Sequence, residues 1–504
     1  MPPLPGGTFI WGRSGDAVKL DPALVTDGES VMVTTNLFDT LVGFKPGTTA
    51  IAPWLAERWQ ASADGLVWTF TLRDGVKFHD GTPLDAEAVV FSFERQRDPS
   101  HKARRPDDAF LYYDTNFRSL KSIEAVDAQT VRFTLDQPYA PFLSALALHS
   151  CAIVSPAAFA RVDKRGAPVD FATDPVGSGP FVFERWERDA QIVLRANKEH
   201  FSGAPPIDKL IFRPIKNAQA RLQELAAGSI HGMDNPALED LATIQRDSRM
   251  RLLSRPGINV CYLAMNTQRK PYNDVRVRQA VAWAIDKRRI VQAAYNGIAE
   301  PAGSMCPSSM AGHAAPVDRK PDTKKARGLL EAAGHAEGFT TVLWYPAAQR
   351  TYLPDPGGTA IQIQQDLKEI GIQVELRKAE WSAHLQATQA GEHDLCLLGW
   401  MADIFDPDNF LYVLLDKDNA TPPAQNVSFY RGERVHKLLV DAQRSYDWPT
   451  RAKLYAEAQE VLFEEVPALP LATVPDFRVV RMDVRGYTIY PAGGEYFRHV
   501  SFAK

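Results

Sequence analysis

Residues 55–95 read LAERWQASADGLVWTFTLRDGVKFHDGTPLDAEAVVFSFER. Within this segment, large apolar residues alternate with polar ones at Trp68, Phe70 and Leu72. A period of two predicts a strand that is buried on one face. The pair Asp74-Gly75 favours a two-residue turn, so we expect residues 76–79 to return as the second strand of a hairpin.

The same segment then predicts a helix. Asp80-Gly81 is typical of another tight turn, and Asp85 carries an oxygen that can accept hydrogen bonds from the first turn of a helix. The apolar residues that this helix is expected to bury are Val89, Val90 and Phe93. These patterns predict local structure and leave function open.

The two halves of the chain differ in pattern. Up to about residue 250 short strands dominate, and Val131, Phe133 and Leu135 alternate as regularly as the first strand. The second half has helical spacings over residues 274–285, 322–334 and 363–370. The last of these ends at Gly371 and continues into an alternating strand, an order that predicts an α/β sheet with crossover helices.

Composition excludes several classes of protein. A chain of 504 residues is expected to form two or three domains. A net charge of −4 gives no basic surface for nucleic acid. No run reaches the roughly 18 to 20 apolar residues that span a bilayer. The four widely spaced cysteines form no zinc motif, and they neither require nor exclude disulfides.

Several segments together resemble one known family. They are residues 55–95, 174–181 (DPVGSGPF), 265–287 (MNTQRKPYNDVRVRQAVAWAIDK), 325–334 and 391–410. Essentially the whole chain is similar to the family 5 solute-binding proteins, the extracytoplasmic receptors of ABC importers for dipeptides, oligopeptides, nickel and related solutes. Within that family it most resembles the dipeptide-binding branch.

The resemblance implies an α/β, type II periplasmic-binding-protein-like fold with two lobes, a hinge and an additional subdomain on the first lobe. The expected boundaries are 1–257 plus 480–504 for lobe I, about 40–165 for its subdomain, and 258–479 for lobe II. It also implies a monomer without catalysis, cofactor or metal, whose partners are a membrane permease and its ATPase subunits. The N-terminus lacks the pattern of a secretory signal, which taken alone would suggest a cytoplasmic protein. The resemblance implies instead a periplasmic or cell-surface protein whose signal sequence has been removed.

A dipeptide receptor needs two opposite charges. A free dipeptide is a zwitterion, and each end must find a partner when it leaves water. In GWMAD (399–403) the resemblance implies that Asp403 takes the ammonium group. In QRTY (349–352) it implies that Arg350 takes the carboxylate through its planar fork, although Thr351 stands where the branch has proline. The separation of the two charges would set the length of the ligand.

The resemblance implies further ligand contacts. Trp400 is either a wall for ligand side chains or plain core, and the backbone of Gly399 and Met401 would bind the peptide as an added strand. Tyr112 and Tyr113 lie near the aromatic lid of the family, or form a half-buried surface pair. The remaining candidates are Ser14, Gly15, Tyr352, Trp381 and Ala402.

The sequence leaves two alternatives to a dipeptide receptor. A hydrolase is the weaker alternative, because the sequence has no Gly-x-Ser-x-Gly elbow, no His-Glu-x-x-His helix and no P-loop. His393 lies between two acids, and we interpret this cluster as solvated residues at the start of a strand. The same receptor class could instead take an oligopeptide, glutathione, haem or a nickel chelate.

Overall fold

The computed structural model describes residues 6–45, 48–162, 166–314, 319–490 and 494–503. The chain forms two compact units. Unit 1 comprises Met1–Arg255 and Phe477–Lys504, and unit 2 comprises Pro256–Asp476. Each unit has its own sheet and its own core.

The strands in chain order are β1 (Thr8–Arg13), β2 (Val42–Phe44), β3 (Ile51–Pro53), β4 (Ala56–Ala61), β5 (Val67–Leu72), β6 (Leu120–Asp127), β7 (Thr130–Leu135), β8 (Phe181–Glu187), β9 (Gln191–Ala196), β10 (Lys209–Pro214), β11 (Gly232–Asp234), β12 (Met250–Arg255), β13 (Asn259–Met265), β14 (Glu300–Pro301), β15 (Phe339–Pro346), β16 (Ile372–Ala379), β17 (Leu395–Met401), β18 (Ala468–Thr473), β19 (Asp476–Arg481), β20 (Val484–Arg485) and β21 (Ser501–Phe502).

The helices in chain order are α1 (Gly28–Leu37), α2 (Ala86–Arg97), α3 (Leu111–Asn116), α4 (Phe142–Ala145), α5 (Ala218–Ala227), α6 (Leu241–Arg246), α7 (Val275–Ala284), α8 (Lys287–Ala294), α9 (Thr323–Ala332), α10 (Pro356–Lys368), α11 (Trp381–Ala390), α12 (Asp408–Leu415), α13 (Glu433–Arg444) and α14 (Trp448–Glu465). Within the described ranges, none of them has both the length and the apolar character that crossing a membrane requires.

Unit 1 is built on a seven-stranded sheet of order β12-β19-β11-β1-β10-β9-β8, together with a four-stranded sheet of order β4-β5-β7-β6. The predicted alternating strands are confirmed, because both β5 and β7 bury every second residue. Asp85 caps α2 as predicted, and its Oδ1 accepts a hydrogen bond from the Ala88 N–H at 3.0 Å.

The predicted hairpin after β5 is wrong. Gly75 does make a turn with a φ of +71°. Residues 76–79 do not pair with β5, because β4 and β7 already occupy its two edges. They fold instead against the next few residues, where Lys77 bridges Pro83 and the Leu84 N–H donates to the Val76 carbonyl at 2.9 Å.

Unit 2 is built on a six-stranded sheet of order β14-β18-β13-β17-β15-β16. β15 and β16 are parallel and α10 connects them, which confirms the predicted crossover helix. Asp274 and Asp322 cap α7 and α9. Helices cover both faces of the sheet. One face packs in a core around Leu263 and Ile363, and the other face packs in a core around Val260 and Phe410.

Candidate functional site

Most of the predicted ligand-binding residues lie in unit 2, near the carboxyl ends of β15 and β17. These two strands are parallel neighbours, so the segments that follow them emerge at the same edge of the sheet. The segment after β15 carries Arg350 and Tyr352, and the segment after β17 carries Asp403. In α/β sheets this edge is the usual position of a ligand site.

The end of β17 has an unpaired backbone edge. The Ala402 N–H donates to the Ile258 carbonyl at 2.9 Å. The even-numbered residues of β17 are therefore the ones that exchange backbone hydrogen bonds with β13. Gly399 and Met401 occupy the intervening pairs, so their N–H and C=O groups point away from β13. On that side, within the described residues, β15 pairs with β17 only at residues 395–396. An extended chain could therefore pair with Gly399 and Met401.

Tyr352 packs directly on the backbone of β17. A Cβ atom at Gly399 would lie 2.1 Å from Tyr352 Cδ2, so only glycine allows this contact. Tyr295 Oη donates to the Tyr352 carbonyl at 3.2 Å, and burial raises the pKa of the Tyr352 phenol. Tyr352 is thus a buried wall that supports the strand edge, and only 8% of its surface is exposed.

Arg350 is a half-buried cation that stacks on an aromatic ring. Reciprocal backbone hydrogen bonds of 3.0 and 2.9 Å with Leu353 close its loop. Its guanidinium carbon lies 3.6 Å from the ring centroid of Trp381, at the start of α11, and burial lowers the pKa of Arg350. Within the described part of the chain, no carboxylate lies within ion-pair distance of Arg350, and its buried Nε lacks a hydrogen-bond partner. This geometry suits an incoming carboxylate.

Asn409 fixes the other half of the site. Its buried Oδ1 accepts hydrogen bonds from Trp400 Nε1 and from the Asp403 N–H, both at 3.0 Å. One amide therefore sets both the plane of the Trp400 indole and the start of the loop that carries Asp403. The Trp400 ring is half-buried and packs partly on the core around Phe410, while the Asp403 carboxyl is half-buried. Sequence reasoning did not single out Asn409, although it lies inside the resembling segment 391–410.

The remaining strand residues differ in exposure. Met401 exposes 40% of its surface beside the open edge, whereas Ala402 is half-buried and anchored by its backbone to Ile258.

Ser14 and Gly15 directly follow β1 in unit 1. Ser14 Oγ donates to Glu29 Oε1 at 2.6 Å, and a Cβ atom at Gly15 would lie 3.5 Å from Glu29 Cγ, an ordinary contact. Burial raises the pKa of Glu29, and Arg13 lies beneath it with a 4.0 Å separation between Nε and Oε2. Glu29, with the buried Arg13 beside it, therefore holds the segment of Ser14 and Gly15 in place.

The two adjacent tyrosines of α3 have different environments. Tyr113 is buried and its ring stacks on Phe117 at 5.6 Å, so it belongs to the core of unit 1. Tyr112 is half-buried and meets the His149 ring edge-on at 4.9 Å. Of the predicted surface pair, only Tyr112 is half-buried.

The sequence suggested that His393 is solvated, and this prediction is wrong. It is fully buried, its Nε2 is 2.9 Å from the Val427 carbonyl oxygen, and burial lowers its pKa to about 4. A neutral buried imidazole bonded to a backbone carbonyl has a structural role. The four cysteines are likewise buried and free.

The family model "Bacterial extracellular solute-binding proteins, family 5 Middle" matches residues 50–422, and the chain belongs to this family. Its fold is the type II periplasmic-binding-protein fold, which confirms the predicted fold class.

The relatives include receptors for different solutes. The dipeptide-binding protein of Escherichia coli K12 is 34% identical, over 98% of this chain and 94% of its own. Heme-binding protein A of Haemophilus influenzae is also 34% identical, over 98% of this chain and 92% of its own. The structure of the ABC transporter-associated periplasmic binding protein DppA from Helicobacter pylori, in complex with peptide STSA, superimposes with a TM-score of 0.84, with 37% identity and 99% of each chain covered.

Proposed function

We propose that the chain is the substrate-binding receptor of an ABC importer, which captures dipeptides in the periplasm or at the cell surface. As a monomer, it would deliver them to a membrane permease driven by ATPase subunits. Family membership and the two peptide-related proteins named above support this proposal.

The environment of Arg350 carries the proposal. A half-buried guanidinium whose solvation is reduced and whose Nε is unpaired gains most from a planar anion that accepts two parallel hydrogen bonds. Stacking on Trp381 fixes the plane of this fork before the ligand arrives. The C-terminal carboxylate of a peptide has the required shape and charge.

Asp403 and the edge of β17 supply the other contacts. In the proposal, the Asp403 carboxylate binds the peptide ammonium group. The backbone groups of Gly399 and Met401 bind the central amide as an added strand. Because all these contacts involve the ends and the backbone of the ligand, the side chains of the dipeptide should matter less than its length.

Capped ligands test the proposal. Calorimetry would compare a free dipeptide with its N-acetylated and C-amidated forms. Each cap removes one charge of the ligand, the one that Asp403 or Arg350 would bind, so each should weaken binding by about 2 to 5 kcal/mol. Equal affinity for capped and free peptides would contradict the zwitterion model.

Two substitutions assign the roles. Arg350→Ala should weaken binding of the free dipeptide strongly but that of the C-amide only slightly. Asp403→Ala should likewise weaken binding of the free dipeptide strongly but that of the N-acetyl form only slightly. Arg276→Ala is a suitable control, since this exposed arginine of unit 2 already pairs with Asp274 at 2.6 Å. A variant that binds all ligands within a factor of three of the original chain has no such role.

Haem is the second candidate ligand, because the haem-binding relative is as similar to this chain as the dipeptide-binding one. Titration with haemin, followed by its Soret absorption, would detect this function independently. Saturable haem binding that a dipeptide does not displace would favour this alternative.

A further inference from the structure

We propose that unit 2 carries a binding site for one divalent transition-metal ion of the zinc type, formed by Asp416, Asp418 and His436. The site is separate from the residues assigned to the peptide, and it does not depend on the proposed function. It lies where α12 ends and α13 begins.

The donor atoms already lie close together. His436 Nδ1 is 3.0 Å from Asp416 Oδ1 and 4.0 Å from Asp418 Oδ2, and one ligand atom from each residue lies within 4.8 Å of the others. Two ligands of one zinc ion, each at about 2.1 Å, can be at most about 4.2 Å apart. A small movement of the exposed Asp418 side chain is therefore enough to enclose an ion.

Charge balance favours a dication. The Asp416 side chain is fully buried, and within the described residues no lysine or arginine lies within ion-pair distance of it. The neighbouring Lys417 is engaged by Glu433 at 2.5 Å. When His436 acts as a metal ligand its imidazole is neutral, and the two carboxylates then carry a charge of about −2, which a single divalent ion neutralises.

Hydrogen bonds within the fold hold the proposed metal ligands in place. Asp416 follows α12, its carboxylate accepts the Asp418 N–H at 2.9 Å, and its carbonyl accepts Asn426 Nδ2 at 3.0 Å. Tyr412 Oη donates to Asp418 Oδ2 at 3.2 Å and orients that carboxylate. Such outer hydrogen bonds are typical around metal ligands. His436 is exposed by 24%, so an ion can enter from solvent.

The donor set selects the class of ion. One imidazole and two carboxylates suit zinc, nickel and related ions. Calcium and magnesium prefer sets of oxygen ligands. We therefore expect Zn²⁺ to bind and to tie the end of α12 to the first turn of α13. The sequence did not reveal this cluster, because Asp418 and His436 are 18 positions apart in the chain.

Calorimetry with Zn²⁺ on the untagged full chain, after treatment with a chelator, tests the site. We expect one Zn²⁺ per chain and no comparable binding of Ca²⁺. Asp418→Asn and His436→Gln should each weaken zinc binding at least about tenfold. They should also abolish the rise in melting temperature that zinc gives the original chain. His335→Gln, which removes a histidine of unit 2 outside the cluster, should change neither result.

The outcomes separate clearly. Failure of the original chain to bind Zn²⁺ stoichiometrically, or equal zinc affinity in Asp418→Asn, would overturn the proposal. If His436→Gln does not fold, as judged by circular dichroism, Asp418→Asn decides alone, because its side chain is 49% exposed and its loss should leave the fold intact.

Discussion

At the scale of single residues, Gly399 makes the sharpest prediction. Gly399→Ala would place a methyl group 2.1 Å from Tyr352 Cδ2, so the buried ring must move. We expect a loss of about 1 to 3 kcal/mol in the free energy of unfolding, measured with urea. Dipeptide binding should weaken as well, because the displaced ring supports the strand edge.

Gly328→Ala is the matched control for that experiment. Gly328 lies within α9, and a Cβ atom there would meet nothing within 4 Å. Alanine should therefore stabilise the helix by about 0.5 to 1 kcal/mol. If both substitutions were neutral, the close packing of Tyr352 on β17 would be disproved.

How far could the site be predicted from the sequence? Resemblance pointed to Arg350 and Asp403, because both lie in local strings that can be compared along the chain. It could not show that the Arg350 guanidinium stacks on Trp381, or that Asn409 fixes Trp400. Those contacts join residues that only tertiary folding brings together.

At the scale of secondary structure elements, the first turn of α12 contains an unusual acid. Asp408 is buried, and burial together with Asp406 raises its pKa to about 8. Its Oδ1 accepts a hydrogen bond from Gln443 Nε2 at 2.8 Å, which a neutral side chain can also accept. Asp408 is therefore protonated in the folded state at neutral pH.

Asp408→Asn tests this assignment through the pH dependence of stability. A raised pKa stabilises the fold fully below the unfolded value near 3.8, and this stability is lost as the pH rises through about 8. The variant should match the original chain near pH 4 and should gain on it in stability as the pH rises to about 8, by up to about 1.4 kcal/mol per pH unit. Thermal unfolding across this range measures the difference. Glu460→Gln, at an exposed acid of α14, should show no such trend.

Elements defined by local signals were predicted well, and those defined by distant pairing were not. Asp85, Asp274 and Asp322 each cap the helix that follows, because a cap involves only neighbouring residues. The Asp74-Gly75 turn was also found, but its hairpin was wrong. β7, about 60 residues further along, pairs with the edge of β5 that a returning strand would need. No local sequence pattern predicts such a distant pairing.

At the scale of the whole molecule, the two units differ in how the chain closes them. Every strand of the six-stranded sheet in unit 2 comes from one continuous segment, residues 256–476. Its two ends are tied together, because Asn259 Nδ2 donates to the Val474 carbonyl at 2.8 Å and Asn259 Oδ1 accepts the Val474 N–H at 3.0 Å. This arrangement favours independent folding.

Unit 1 instead needs a segment from the other end of the chain. β19 lies between β12 and β11, where Met233 pairs with Val479, and Phe497 is buried beside Asn36, whose Oδ1 accepts the Phe497 N–H at 3.1 Å. A fragment of residues 1–255 therefore lacks an internal strand and exposes the edges of two others.

We accordingly expect residues 256–476 to fold alone, with a cooperative thermal transition and dispersed amide resonances. Residues 1–255 should remain aggregation-prone or only partly folded until a peptide of residues 476–504 is added, which should restore cooperativity. Since β19 supplies hydrogen bonds to both neighbouring strands, its absence removes two ladders at once. A cooperative transition of residues 1–255 without the peptide, at the same temperature as with it, would show that the internal strand is dispensable.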